Sequence, residues 1–137
     1  MRTSPLAVVA AGLLTAALTG CSSEATSDTA TAQSAAPDGP AVSMSRLMYM
    51  PDTIEVKAGT AVTWTNGESI SHTVTSGKPT GVDAETSLRS GEEPDGRFDE
   101  QLAKEGDSFS FTYEEPGTYP YYCDIHKGMN AEVVVTP

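Results

Sequence analysis

Near its C-terminus the chain reads Cys123-Asp124-Ile125-His126-Lys127-Gly128-Met129, and its one other histidine is His72. A thiolate, two imidazoles and a thioether are the donor set of a type 1 (blue) copper site, a trigonal His₂Cys plane with a weak axial Met. Soft sulfur donors select copper over magnesium, calcium or manganese, and imidazole suits both copper oxidation states. Zinc accepts the His₂Cys part but has little use for a thioether, so it stands as the weaker metal. The chain has two cysteines and two histidines, and the pattern uses both histidines. The bland role for His72 is a packed core position. It sits beside Val74 on an inward face without an obvious carboxylate partner, which favours the ligand role.

These donors must be brought together by strands. From Val42 onward the pattern alternates with period two, is broken by turn residues, and shows no sustained 3.6-residue period. Strands are expected over Val42–Met50, Thr53–Lys57, Thr60–Asn66, Ile70–Thr75, Ser108–Tyr113, Thr118–Cys123 and Ala131–Thr136. Val62 and Trp64 then face inward, as do Ile70, His72 and Val74, and Phe109, Phe111 and Tyr113 share one face. Residues 77–106, rich in Gly, Pro and charge, offer no clear element beyond a short turn or strand around Arg97–Leu102. Seven to eight short strands at this spacing predict an all-β fold, a Greek-key β-sandwich. Pro120 falls inside a strand and requires an edge or a bulge, because it cannot donate to the ladder.

The N-terminal segment has a different composition. One cation, Arg2, precedes an apolar run from Leu6 to Leu18, too short for a permanent span and suited to a signal peptide over residues 1–20. Leu18-Thr19-Gly20-Cys21 resembles the lipobox of bacterial lipoproteins, which implies that Cys21 becomes the lipidated first residue. An ordinary cleaved signal with a stray cysteine is the alternative. Residues 21–40 then form a disordered tether, since Ser22–Pro40 holds no large apolar residue. That organisation places the folded domain, 41–137, outside the cytoplasm, anchored by lipid to the cell membrane on its periplasmic or cell-surface face. Cys123 would be left as a free thiol in an oxidising compartment, a liability that metal coordination resolves. A Cys21–Cys123 disulfide is the competing account, and it leaves both histidines unexplained.

The domain carries sixteen Asp and Glu against seven Lys and Arg. This balance argues against nucleic acid and for partners with basic faces. Met44, Met48 and Met50 share one face if the first strand is continuous. Core packing explains them most simply, with a secondary Cu(I) loading site as the sharper idea. The acids Glu92, Glu93, Asp95, Asp99 and Glu100 read as a solvated loop or as a docking patch that raises on-rates.

Gly117-Thr118-Tyr119-Pro120-Tyr121-Tyr122-Cys123 with Asp124–Met129 resembles the C-terminal ligand loop of plastocyanin-like cupredoxins. Val62-Thr63-Trp64-Thr65-Asn66 followed by His72-Thr73-Val74 resembles their first-histidine region. The two-residue gap between His126 and Met129 looks like the short loop of amicyanins. The resemblance implies one type 1 copper ion with His72, Cys123 and His126 equatorial and Met129 axial. It further implies a monomeric one-electron carrier, not an enzyme, that exchanges electrons with redox partner proteins through the His126 ring edge. Two positions depart from the family pattern. Thr73 stands where Asn is common, and Ile125 stands where Pro is common, restoring a backbone N–H close to the sulfur. Copper delivery with the same ligands is the rival function. A copper oxidase or nitrite reductase needs a second copper site with its own histidines, and no histidine remains.

Overall fold

The structure is a computed structural model that describes residues 39–137. The signal peptide expected over residues 1–20, Cys21 and nearly all of the tether expected over residues 21–40 lie outside the described residues. The described residues form nine strands and no helix. These are β1 (Ala41–Ser45), β2 (Met48–Met50), β3 (Thr53–Lys57), β4 (Thr60–Asn66), β5 (His72–Thr80), β6 (Gly91–Leu102), β7 (Ser108–Tyr113), β8 (Gly117–Tyr122) and β9 (Asn130–Thr136). One sheet has the order β2-β1-β4-β7 and the other β3-β9-β8-β5-β6. Repeated crossing between the two sheets makes the all-β sandwich expected from the alternation. β1 lies parallel to β4 and β3 parallel to β9, while the remaining neighbours are antiparallel.

Alternation decides the core. Val42, Met44, Val62 and Trp64 from the first sheet face Val56, Val74, Tyr121, Val133 and Val135 from the second. Trp64 is fully buried and spans the two layers, its ring 5.4 Å from Tyr121 and 5.8 Å from each of Phe98 and Phe109. Phe109 and Phe111 are half-buried and Tyr113 buried along one face of β7, as the pattern predicts.

Three expectations need correction. The first strand is not continuous. Arg46 and Leu47 take φ values of 56° and 59°, a two-residue reversal that folds β2 back on β1 with Met44 opposite Tyr49. Met44 is therefore buried beside Tyr49, while Met48 and Met50 are 48% and 47% exposed, so the three methionines do not share a face. The turn lacks the usual Asn-Gly signal, which is why the sequence hides it.

The second correction is β6, a twelve-residue strand where only a short turn or strand around Arg97–Leu102 was expected. It lies at a sheet edge, and among its residues only Phe98 and Leu102 are buried, so no alternation marks it. The register between β5 and β6 also slips between Thr75 and Gly77, where residues 95–98 of β6 stand against Ser76 alone. Gly77 has φ of 145°, and a Cβ on it would lie 2.4 Å from the carbonyl oxygen of Glu93, so this crossing point needs glycine. The two corrections together raise the expected seven or eight strands to nine.

Third, β5 begins at His72, and Ile70 is exposed instead of sharing the inward face. Pro120 obeys its constraint. The β5 ladder reaches only Tyr121 and Tyr122 of β8, so Pro120 lies beyond it, as on an edge.

Candidate metal centre

The strand order brings the predicted ligands to one pole. β5 starts at His72 and β8 ends one residue before Cys123. These strands are antiparallel neighbours with Thr75 opposite Tyr122, so the start of one meets the end of the other. The loop from Cys123 to Met129 is closed by its own backbone. The Cys123 N–H donates to the Met129 carbonyl at 3.1 Å, His126 N–H to the Cys123 carbonyl at 3.3 Å, and Met129 N–H to the His126 carbonyl at 3.0 Å.

Ligand atoms of His72, Cys123 and His126 all lie within 4.8 Å of one another. The Cys123 Sγ is 3.5 Å from His126 Nδ1, and the two imidazole centroids are 4.9 Å apart. His72 and Cys123 are fully buried, His126 is half-buried, and Met129, at the far end of the same loop, is 1% exposed. Neither ring nitrogen of His72 has a hydrogen-bond partner. A buried imidazole with two orphaned nitrogens fits a metal-ligating position and not a satisfied core histidine. Glu68, a carboxylate overlooked in the sequence, comes to 3.8 Å of His72 Nε2, too far for a hydrogen bond. Burial, reinforced by His126 and opposed by Glu68, lowers the His72 pKa, so the ring is neutral at pH 7, the form that ligates.

The sulfur receives a hydrogen bond from the Thr73 backbone N–H at 3.3 Å. Ile125, expected to supply this donor, makes no such bond, and its side chain is exposed. The donor comes instead from the residue after His72, across a sequence separation of 50. Thr73 also accepts the Asp124 N–H on its Oγ1 at 2.8 Å, so it pins the ligand loop where the family commonly uses Asn.

Two further residues were missed in the sequence. Asn66 is fully buried, and its Nδ2 donates to the carbonyls of Ile70 at 2.8 Å and Leu102 at 3.0 Å. Its Oδ1 accepts the Glu68 N–H at 2.9 Å, which fixes the segment leading into His72. Asn66-Gly67 is a dipeptide that favours turns, and that is the local signal by which it could have been found. Arg89, in a stretch with no visible element, is buried against the ligand loop. Nothing in its local sequence announces it.

Most of the β6 acids are engaged. Glu92 takes Arg89 and Lys127, Asp95 takes Ser76 and Arg97, and Asp99 takes Thr75. The hydrogen bond from Lys127, supported by Arg89, holds the Glu92 carboxyl below the usual range.

The sequence profile of the copper-binding proteins of the plastocyanin/azurin family matches residues 40–136. This chain belongs to that family. As a cupredoxin, it is 31% identical over 94 residues to amicyanin-alpha of Methylorubrum extorquens, and the match covers 69% of each chain. It is 34% identical over 93 residues to the chloroplastic plastocyanin of Physcomitrium patens, covering 66% of this chain and 50% of that one. The chain thus spans half the length of that relative. Among solved structures, a reduced Cu(I) amicyanin variant superposes with a TM-score of 0.52 at 31% identity, over 74% of this chain and 85% of that one. Amicyanin of Paracoccus versutus gives a TM-score of 0.54 at 26% identity, over 74% of this chain and 84% of that one. The cupredoxin fold and the amicyanin-like character expected from the short loop both stand. Copper is the metal that this donor set takes.

Proposed function

We propose that this cupredoxin is a one-electron carrier, that His72, Cys123, His126 and Met129 would hold its copper, and that a lipid on Cys21 is its anchor. The observation that carries the reading is the convergence of three donor atoms within 4.8 Å on a hydrogen-bonded β scaffold. Copper bound there supplies a Cu(II)/Cu(I) couple. The protein's part is to hold the donors still. Thr73 ties the sulfur and the loop together, and Asn66 ties the approach to His72. The Thr73 N–H stabilises a thiolate at Cys123 and reduces its donation, which favours the reduced ion. His126 is the half-buried member of the set and follows Ile125, whose apolar side chain is exposed. It therefore offers the ring edge through which a redox partner exchanges electrons. The acidic balance of the domain favours partners with basic faces.

Copper delivery would use the same ligands but needs ready release. Burial of His72, Cys123 and Met129 argues against that. Both histidines are committed to this centre, which leaves none for a catalytic copper. Cyclic voltammetry of the copper-loaded chain decides between the readings. A fast, reversible couple with slow loss of copper to a competing apoprotein is expected; rapid transfer with an irreversible couple would establish delivery.

Anchoring has its own test. Cys21→Ser should move the protein from the membrane fraction to the soluble extracytoplasmic fraction and leave the copper spectrum unchanged. The substituted residue precedes a tether that contributes no ligand. Retention in the membrane would count against lipidation, and loss of copper binding would revive the Cys21–Cys123 disulfide.

A further inference from the structure

Among the described residues Arg89 is the one buried Lys, Arg, Asp or Glu, and its side chain is fully shielded from solvent. A buried guanidinium is strongly unfavourable unless its donors are used and its charge is balanced. Its Nη2 donates to the Cys123 carbonyl at 2.5 Å, and its Nη1 to the His126 carbonyl at 3.1 Å and to Asn130 Oδ1 at 3.2 Å. Its Nε donates to Glu92 Oε1 at 2.9 Å, and its backbone N–H to the Lys127 carbonyl at 3.1 Å. The guanidinium carbon stands 4.7 Å from the centroid of the Tyr122 ring. One side chain thus binds the backbone of two of the loop's three candidate ligands, Cys123 and His126, reaching them from 34 and 37 residues away.

Arg89 and Lys127 share the carboxylate of Glu92, and both cations also act on the loop's own Asp124, so what sets Arg89 apart is the complete burial of its charge. The domain around it has sixteen acids against seven bases. A fixed positive charge in a poorly solvated setting stabilises a neighbouring site that gains an electron. A guanidinium keeps that charge at any relevant pH, and its fork matches two carbonyls in a way an ammonium cannot.

We propose that Arg89 is the positioning residue of the ligand loop and that its buried charge biases the centre toward its reduced state. The proposal rests on the copper-carrier reading. Its two halves separate because Arg89→Lys keeps the charge and loses the fork, while Arg89→Gln loses both. Glu92→Gln keeps the fork and removes the opposing charge.

The experiment measures midpoint potentials of the copper-loaded full chains and amide hydrogen exchange of Cys123–Met129 in the metal-free chains. Arg89→Gln should raise the Cu(II)/Cu(I) ratio at a fixed poise about tenfold, a fall of about 59 mV for one electron. Its loop amides should exchange about tenfold faster. Arg89→Lys should stay within about threefold of wild type in that ratio while its loop exchanges as fast as in the Gln variant. Glu92→Gln should move the potential upward with loop exchange unchanged. Opposite signs for Arg89→Gln and Glu92→Gln are the signature of charge, since loosening alone predicts no such reversal. The charge role is overturned if both variants shift the potential in one direction or if neither shifts it. Unchanged loop exchange in metal-free Arg89→Gln overturns the clamp. Should Arg89→Gln not fold, the sign of the Glu92→Gln shift and the loop exchange of Arg89→Lys still decide each half. A wild-type chain without a reversible couple would sink the carrier reading, whereas the exchange measurements would still report on the clamp.

Discussion

Replacing Cys123 with serine is expected to abolish the intense visible absorption of the copper-loaded protein. That absorption comes from charge transfer between a thiolate and Cu(II), and a serine hydroxyl stays protonated at neutral pH and provides no equivalent donor. Copper affinity should fall by more than about a hundredfold, beyond the 10–100-fold typical of losing an outer hydrogen-bond partner. The fold should survive. Cys123 is fully buried, but an oxygen is smaller than the sulfur and can accept the Thr73 N–H that now reaches Sγ at 3.3 Å. A change of about 1–2 kcal/mol in the stability of the metal-free chain is the expected scale. Visible spectra and competition with a copper chelator measure the two effects. A serine variant that remained blue would overturn the assignment of Cys123.

The largest effect on stability should come from Trp64→Ala. Trp64 is fully buried, pairs with Phe109 across the β4–β7 ladder, and touches Tyr121 and Phe98 of the opposite sheet. Deleting such a side chain removes its transfer energy and leaves a cavity, about 3–5 kcal/mol together. For a domain of this size that corresponds to a fall in Tm of roughly 15 °C or more. Trp64→Phe, which keeps an aromatic surface against Tyr121, should cost about half as much. Calorimetry of the metal-free variants provides the measurement. The chain has one tryptophan, so its fluorescence follows wild-type unfolding without ambiguity. A loss below about 1 kcal/mol for the alanine variant would mean that the two sheets repack around the gap. The variant should also bind copper less tightly, because Tyr121 lies against Trp64 and two residues before Cys123.

The candidate donors were legible because coordination chemistry is local. A thiolate, an imidazole and a thioether within seven residues declare themselves, and His72 was the one histidine left to complete the set. The sandwich was legible for a related reason. Strands such as β4 and β7, with one face toward the core, alternate, and period two can be seen without any knowledge of neighbours. β6 was hidden because an edge strand with most of its side chains exposed places no demand on alternation, and its bulge breaks what register remained. The β1–β2 reversal was hidden because its left-handed residues, Arg46 and Leu47, are not the types that usually announce such a turn.

By itself the sequence determined which atoms can hold copper, the all-β class of the domain and the inward faces of its well-buried strands. Only the tertiary structure decided how those atoms are held. The meeting of His72 with the C-terminal loop follows from antiparallel pairing of β5 with β8. The donor to the sulfur is Thr73 and not Ile125, because the nearest N–H in space belongs to a different strand. Arg89 reaches the carbonyls of Cys123 and His126 from a segment with no local pattern. Hydrogen bonds of this kind depend on distance in space, and residues 34 to 50 positions apart become neighbours only when the sheets have packed.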